Sequence, residues 1–213
     1  MKVSVSILSI KENINNCIKM LDETTTNYIH LDIMDGIFVS NQTWSLQQVS
    51  CLVSCLKTPL DVHLMVQDVE QYVEQFSSLN PAYITFHYEA TNKVMEYISI
   101  IKNKGIGVGM SIKPNTDEKV LEEYLPYLDL ILVMSVEPGA GGQKFMENSL
   151  SKIKWLKQEK EKNNYSYLIE VDGGINDKTI SLVKQAGTDI VVSGSFVTNG
   201  DNYQEKIDYL KKS

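Results

Sequence analysis

The run YIHLDIMDG, residues 28–36, carries a histidine and two aspartates inside an otherwise apolar stretch. Side chains on an extended strand alternate between two faces, so Ile29, Leu31 and Ile33 share one face and His30, Asp32 and Met34 the other. The same parity groups Asp61, His63 and Met65 in LDVHLM, and Glu170 with Asp172 in LIEVD. Each residue alone is more often a hydrogen-bonded core group than a ligand. Two histidines and two carboxylates brought to one place are a donor set for a divalent ion such as Zn²⁺, Fe²⁺ or Mn²⁺. Without a cation or a shared proton, the two buried carboxylates would repel.

Bringing them together requires a parallel sheet, because such strands present their C-terminal ends on one side. The chain alternates short β-branched runs with longer amphipathic stretches. Strands are expected over 3–8, 28–34, 60–65, 83–87, 107–112, 130–135, 168–172 and 189–194. Helices are expected over 12–23, 45–56, 68–78, 92–103, 117–124, 147–163, 176–186 and 202–212. Asn92, Thr116 and Asn176 stand where helices would be capped, and Gly105 and Gly187 where they would stop. Eight strand–helix units fit a single (β/α)8 TIM barrel formed by one domain over residues 1–213, an α/β fold. An open doubly wound sheet fits less well, since no glycine-rich turn of the G-x-G-x-x-G kind follows the first strand.

A barrel of this type builds its active site at the C-terminal ends of the strands, where the inward-facing His30, Asp32, His63 and Asp172 would arrive. Three glycine-containing turns arrive there too: SVEPGAGGQ, VDGGIN and VSGSF. Such turns let backbone N–H groups approach an anion, and the last loops of these barrels commonly hold phosphate. Backbone donors matter because the chain has no arginine; its 20 basic residues are all lysines. The formal net charge of −7 argues against nucleic acid or an anionic membrane as partner. No apolar run is long enough to span a bilayer, and the first residues turn polar too soon for a signal peptide, so a cytoplasmic location is expected. Cys17, Cys51 and Cys55 are read as structural thiols, and His87 as a pocket or packing residue.

The segments SILS, IHLDIMDGIFVSN, DVHLM, VMSVEPGAGGQKF, EVDGGI and SGS resemble, in order, the ribulose-phosphate 3-epimerase family over nearly the whole chain. The resemblance implies a barrel enzyme of pentose phosphate metabolism. It would interconvert D-ribulose 5-phosphate and D-xylulose 5-phosphate through an enediolate, using one divalent ion (Zn, Fe(II), Mn or Co). It implies His30, Asp32, His63 and Asp172 as metal ligands and Asp32 and Asp172 as the acid/base pair. For substrate contact it implies Ser6, Met34, His63, Met65, Met134, Gly139, Ala140, Gly141, Gly142, Gly173, Gly174, Gly194 and Ser195. A homo-oligomer is usual in the family. The chain departs from the pattern at Ser40, Ala140 and Phe196, and the stretch NQTWS puts Trp44 near the expected mouth.

These departures bear on substrate choice and loop closure, so a D-allulose 6-phosphate 3-epimerase is the nearest alternative. A decarboxylase of the orotidine phosphate type is disfavoured by His63, which stands where its lysine would be expected. A Schiff-base aldolase has only Lys113 to offer. A non-catalytic sugar-phosphate-binding paralogue would be expected to have lost part of the ligand set, which is complete here.

Overall fold

A computed structural model describes residues 1–213. Eight parallel strands pair in sequence order and close on themselves: β1 Lys2–Ser6, β2 Tyr28–Met34, β3 Leu60–Met65, β4 Tyr83–His87, β5 Gly107–Ile112, β6 Leu130–Met134, β7 Leu168–Asp172 and β8 Ile190–Ser193. The expected (β/α)8 barrel is therefore what forms. Every strand lies within two residues of its expected ends.

The helices outside the barrel are α1 Ile14–Asp22, α2 Leu46–Val53, α3 Val69–Phe76, α4 Val94–Asn103, α5 Ser149–Asn163, α6 Ile180–Ala186, α7 Ser195–Thr198 and α8 Tyr203–Lys212. Between β5 and β6 the expected helix over 117–124 is absent. Two 3₁₀ turns, Glu118–Leu121 and Leu125–Tyr127, make the crossover instead. Asp117 accepts from the Lys119 N–H and opens the first turn, and Pro126 stands at the start of the second, where its missing N–H costs no hydrogen bond.

The expected caps also differ. Asn92 caps nothing, because α4 starts from Lys93 with no side-chain bond. Asn176 serves a turn ahead of α6, accepting from the Lys178 N–H at 2.8 Å. Ser45 and Asp68 supply real caps, to the N–H groups of Gln48 and Gln71. Gly105 and Gly187 end their helices with φ of +74° and +114°.

Strand parity divides the protein into two cores. The outward residues of the strands, such as Val5, Ile29, Leu31, Ile33, Val62 and Leu64, join the helices in an apolar cluster of 46 buried residues. The inward apolar cluster has only seven: Tyr28, Leu130, Leu132, Met134, Val136, Ile190 and Val192. These come mostly from β6 and β8, so the remaining inner sector is filled by polar groups. Ser4, Ser6, His30, Asp32, Asp61, His63, Thr85, His87, Ser111 and Glu170 are all buried there.

Candidate metal and substrate site

Register brings the polar residues into contact. His30 is level with Asp61, Asp32 with His63 and Met34 with Met65 across β2 and β3; Ser6 is level with His30 across β1 and β2; Met134 is level with Asp172 across β6 and β7. The tilt and stagger of strands in a closed barrel then carry the inward side chains of β2, β3 and β7, far apart in sequence, onto one floor. Donor atoms of His30, Asp32, His63 and Asp172 lie within 4.8 Å of one another. His30 Nε2 is 3.5 Å from Asp32 Oδ1, and His63 Nδ1 is 3.3 Å from Asp32 Oδ1 and 3.9 Å from Asp172 Oδ2.

These spacings suit a single ion. Donors at about 2.1 Å from a tetrahedral centre are about 3.4 Å apart, and two neutral imidazoles with two carboxylates match a divalent charge. The orphaned atom points the same way, since buried His30 Nε2 has no hydrogen-bond partner.

Asp32 and His30 are held from behind. The Ser6 hydroxyl donates to Asp32 Oδ2 at 2.7 Å, and the Leu8 N–H donates to Ser6 Oγ at 3.3 Å. Asp61 Oδ2 lies 2.7 Å from His30 Nδ1 and accepts from the Ser4 hydroxyl at 2.8 Å. Burial alone would lower the His30 pKa, but the Asp61 and Asp32 carboxylates outweigh it and hold the ring well above its ordinary value. Burial likewise opposes ionisation of Asp32, yet the two histidines keep its carboxyl low. Asp172 goes the other way: burial, then the charge on Asp32, raises it to about 6. Glu170, enclosed next to Asp61 and without a hydrogen-bond partner on either oxygen, is pushed well up by burial and by that neighbour.

Above this floor opens a cavity of about 360 Å³, walled in part by Ser6, Asp32, Met34, Met65, Met134 and Asp172. Gly139, Ala140, Gly141, Gly142, Gly173, Gly174, Gly194 and Ser195 line it as well. His30 and His63 lie fully buried beneath it rather than on its wall. Asn41 Nδ2 donates to the Gly139 carbonyl at 2.8 Å, and Gln143 Nε2 donates to the carbonyls of Glu137 and Ala140 at 2.6 and 2.8 Å, so the loop after β6 is tied over the loop after β2. Gly173 and Gly174 have φ of +121° and +65°, and a Cβ there would lie 2.5 Å from Val136 Cγ2 and 2.6 Å from the Phe145 nitrogen. Only glycine fits that turn.

Of the departures from the family pattern, Ala140 and Phe196 lie on the cavity wall. Ser40 is exposed and not part of the wall. Trp44 does not stand at the mouth; it packs against the outer apolar core. Asp35, next to the ligand strand, is a loop organiser that accepts the N–H groups of Ile37, Phe38 and Gln67. Sequence reading missed Ser9, Gln143, Asn176, Lys178 and Asn199 on the wall. Lys178 carried a signal, as a lysine just after a glycine turn in a chain without arginine. The role of Glu89 beside His87 went unread.

The ribulose-phosphate 3 epimerase family model matches residues 2–198. A ribulose-phosphate 3-epimerase of Treponema pallidum is 41% identical over 180 residues, covering 84% of this chain and 83% of its own. One of Bacillus subtilis is 37% identical over 214 residues, covering 100% of this chain and 99% of its own. Among solved structures, a 3-hexulose-6-phosphate synthase superposes with a TM-score of 0.73 over 100% of this chain and 99% of its own, at 13% identity, which is a likeness of fold alone. With strand order, ligand register and glycine loops already agreeing, these matches place the chain in the ribulose-phosphate 3-epimerase family.

Proposed function

We propose that this chain interconverts D-ribulose 5-phosphate and D-xylulose 5-phosphate by inversion at C3, with one divalent cation held by His30, Asp32, His63 and Asp172. The observation that carries the reading is that Asp32 and Asp172 meet on one cavity floor from strands separated by β1 and β8. Inverting a carbon beside a ketone requires a proton to leave one face and another to reach the opposite face, so two carboxyl groups in different protonation states must flank it.

Asp32, kept ionised by its histidines, takes the proton in one direction; Asp172, the carboxyl raised by its surroundings, returns one, and the roles exchange in reverse. The Ser6 hydroxyl holds one Asp32 oxygen and so aims the other. Met34, Met65 and Met134, each at most 2% exposed, keep water off the reacting carbon without offering a competing proton. When bound, the cation supplies positive charge beside the oxygen anion that develops as the proton leaves. The loops at 139–142, 173–174 and 194–195 offer backbone N–H groups to the phosphate in place of a guanidinium.

Asp172→Asn tests the assignment. It should lower both epimerisation and C3 hydrogen exchange in deuterated water by about 10²–10⁴-fold, while circular dichroism shows an unchanged fold. Undiminished exchange would refute the pair. Parallel assays on ribulose 5-phosphate and allulose 6-phosphate decide the sugar, and a higher kcat/KM for the hexose would replace the substrate named here.

A further inference from the structure

The turn after β1 carries a hydroxyl that the proposed chemistry leaves unused. Ser6 and Ser9 stand three residues apart around this turn, which is closed by the Leu8 N–H on Ser6 Oγ at 3.3 Å and the Ile10 N–H on the Ile7 carbonyl at 3.1 Å. Ser6 commits its hydroxyl to Asp32. Ser9, partly buried on the cavity wall, has no hydrogen-bond partner within the protein for its own.

Two glycines show where that hydroxyl lies. A Cβ built on Gly141 would stand 2.8 Å from Ser9 Oγ, with the next nearest atom, Leu8 Cδ2, 3.8 Å away. A Cβ on Gly194 would stand 3.3 Å from the same oxygen, nearer than to any other atom around it. β8 pairs with β1, so the turns that follow these two strands are neighbours. The Ser9 hydroxyl therefore sits between the loops after β6 and β8, where side chains from both would meet. Gly139 and Gly142 have left-handed φ, but Gly141 does not, so what the missing side chain at 141 supplies is room for Ser9.

We propose that Ser9 is a substrate-binding residue whose hydroxyl donates to the phosphate of the sugar phosphate, beside the backbone N–H groups of the loops after β6 and β8. The inference rests on the phosphate reading of those loops given under the proposed function. A hydrogen bond to an anion is stronger than one between neutral groups, and a serine hydroxyl can supply it without carrying charge. Neutrality matters on a wall that includes Asp32, Glu137, Asp172 and Asp177, because a hydroxyl forms no ion pair with them that an arriving phosphate would have to break. One turn then serves both ends of the substrate: Ser6 aims Asp32 at the reacting carbon, and Ser9 holds the phosphate. A structural hydroxyl would be tied to the protein, and this one is not.

Calorimetry with inorganic phosphate tests the assignment without turnover. Ser9→Ala should weaken phosphate binding about 10-fold. Gly141→Ala should weaken it similarly by turning the hydroxyl aside. The double variant should bind no more weakly than Ser9→Ala alone, since the new methyl then meets no hydroxyl oxygen. Unchanged affinity in Ser9→Ala, or two losses that multiply in the double variant, would overturn the proposal. If Ser9→Ala fails to fold, Gly141→Ala decides, and wild-type affinity in that variant would overturn it. A wild-type protein that binds no phosphate gives a different result, overturning the phosphate reading of the loops and the role of Ser9 with it.

Discussion

Gly174→Ala isolates how tightly the loop after β7 is built. The residue has φ of +65°, and an added Cβ would lie 2.6 Å from the backbone nitrogen of Phe145 and 2.9 Å from its Cα. The left-handed conformation costs an alanine about 1–2 kcal/mol. The contact is with main chain, which cannot swing aside as a side chain would, and overpacking of this kind adds about 1–3 kcal/mol. Gly142→Ala is the matched control, since φ is +75° there but no atom lies within 4 Å of the new Cβ. It should carry the conformational cost alone. Urea unfolding of the metal-free proteins should therefore show Gly174→Ala less stable than Gly142→Ala by about 1–3 kcal/mol. Gly174→Ala should also weaken binding of inorganic phosphate, read by calorimetry, because the loop can relieve the contact only by moving off Phe145. Equal stability losses in the two variants would refute the packing argument.

Burial, reinforced by His63 and Lys113, holds His87 down to about 4 despite Glu89, below the ordinary 6.5. The unfolded chain therefore binds the proton first, and stability is lost as pH falls from 6.5 through about 4, by about 3 kcal/mol for this shift. His87→Phe should remove that contribution, so urea unfolding with chelator present should show wild type losing about 3 kcal/mol more than the variant between pH 7 and pH 4; parallel losses would contradict it. Lys178 is the sole basic residue on a cavity wall that also carries Asp32, Glu137, Asp172 and Asp177. Lys178→Gln should weaken inhibition by inorganic phosphate up to about fivefold and flatten its salt dependence, and an unchanged inhibition constant would show that the backbone loops act alone.

Much of this was legible because strand parity is local. The alternation in YIHLDIM, LDVHLM and LIEVD places His30, Asp32, His63 and Asp172 on one face without knowledge of any neighbour, and a closed parallel barrel then has one place to put them. Helix starts were less legible. Asn92, Thr116 and Asn176 have side chains able to cap, but the same hydroxyl or amide can serve a turn or a distant carboxylate, and Thr116 is taken by Glu89, 27 residues away in sequence. The missing helix before β6 was not legible, because the apolar spacing over 117–124 serves two 3₁₀ turns as well as a helix and Pro126 lies beyond that span. Trp44 was misplaced because a bulky residue in a loop can turn towards the mouth or towards the outer core, and only the packed partners decide.

The buried charges show why the supporting residues are as much a part of the site as the ligands. A floor holding Asp32, Asp61, Asp172 and Glu170 around two histidines would repel itself if every carboxyl ionised. The shifts relieve it unevenly: burial and like charge push Glu170 and Asp172 up, while Asp61 and Asp32 hold the His30 ring well above its ordinary value. On the proposed reading a cation competes with a proton for His30, so its affinity falls with acidity, as for any site whose ligands compete for protons. The side facing the cation is thus adjustable, whereas His30 Nδ1 on Asp61 and His63 Nε2 on His87 are anchored. On the proposed mechanism, that division lets Asp32 and Asp172 change protonation during turnover while the imidazoles beside them keep their orientation.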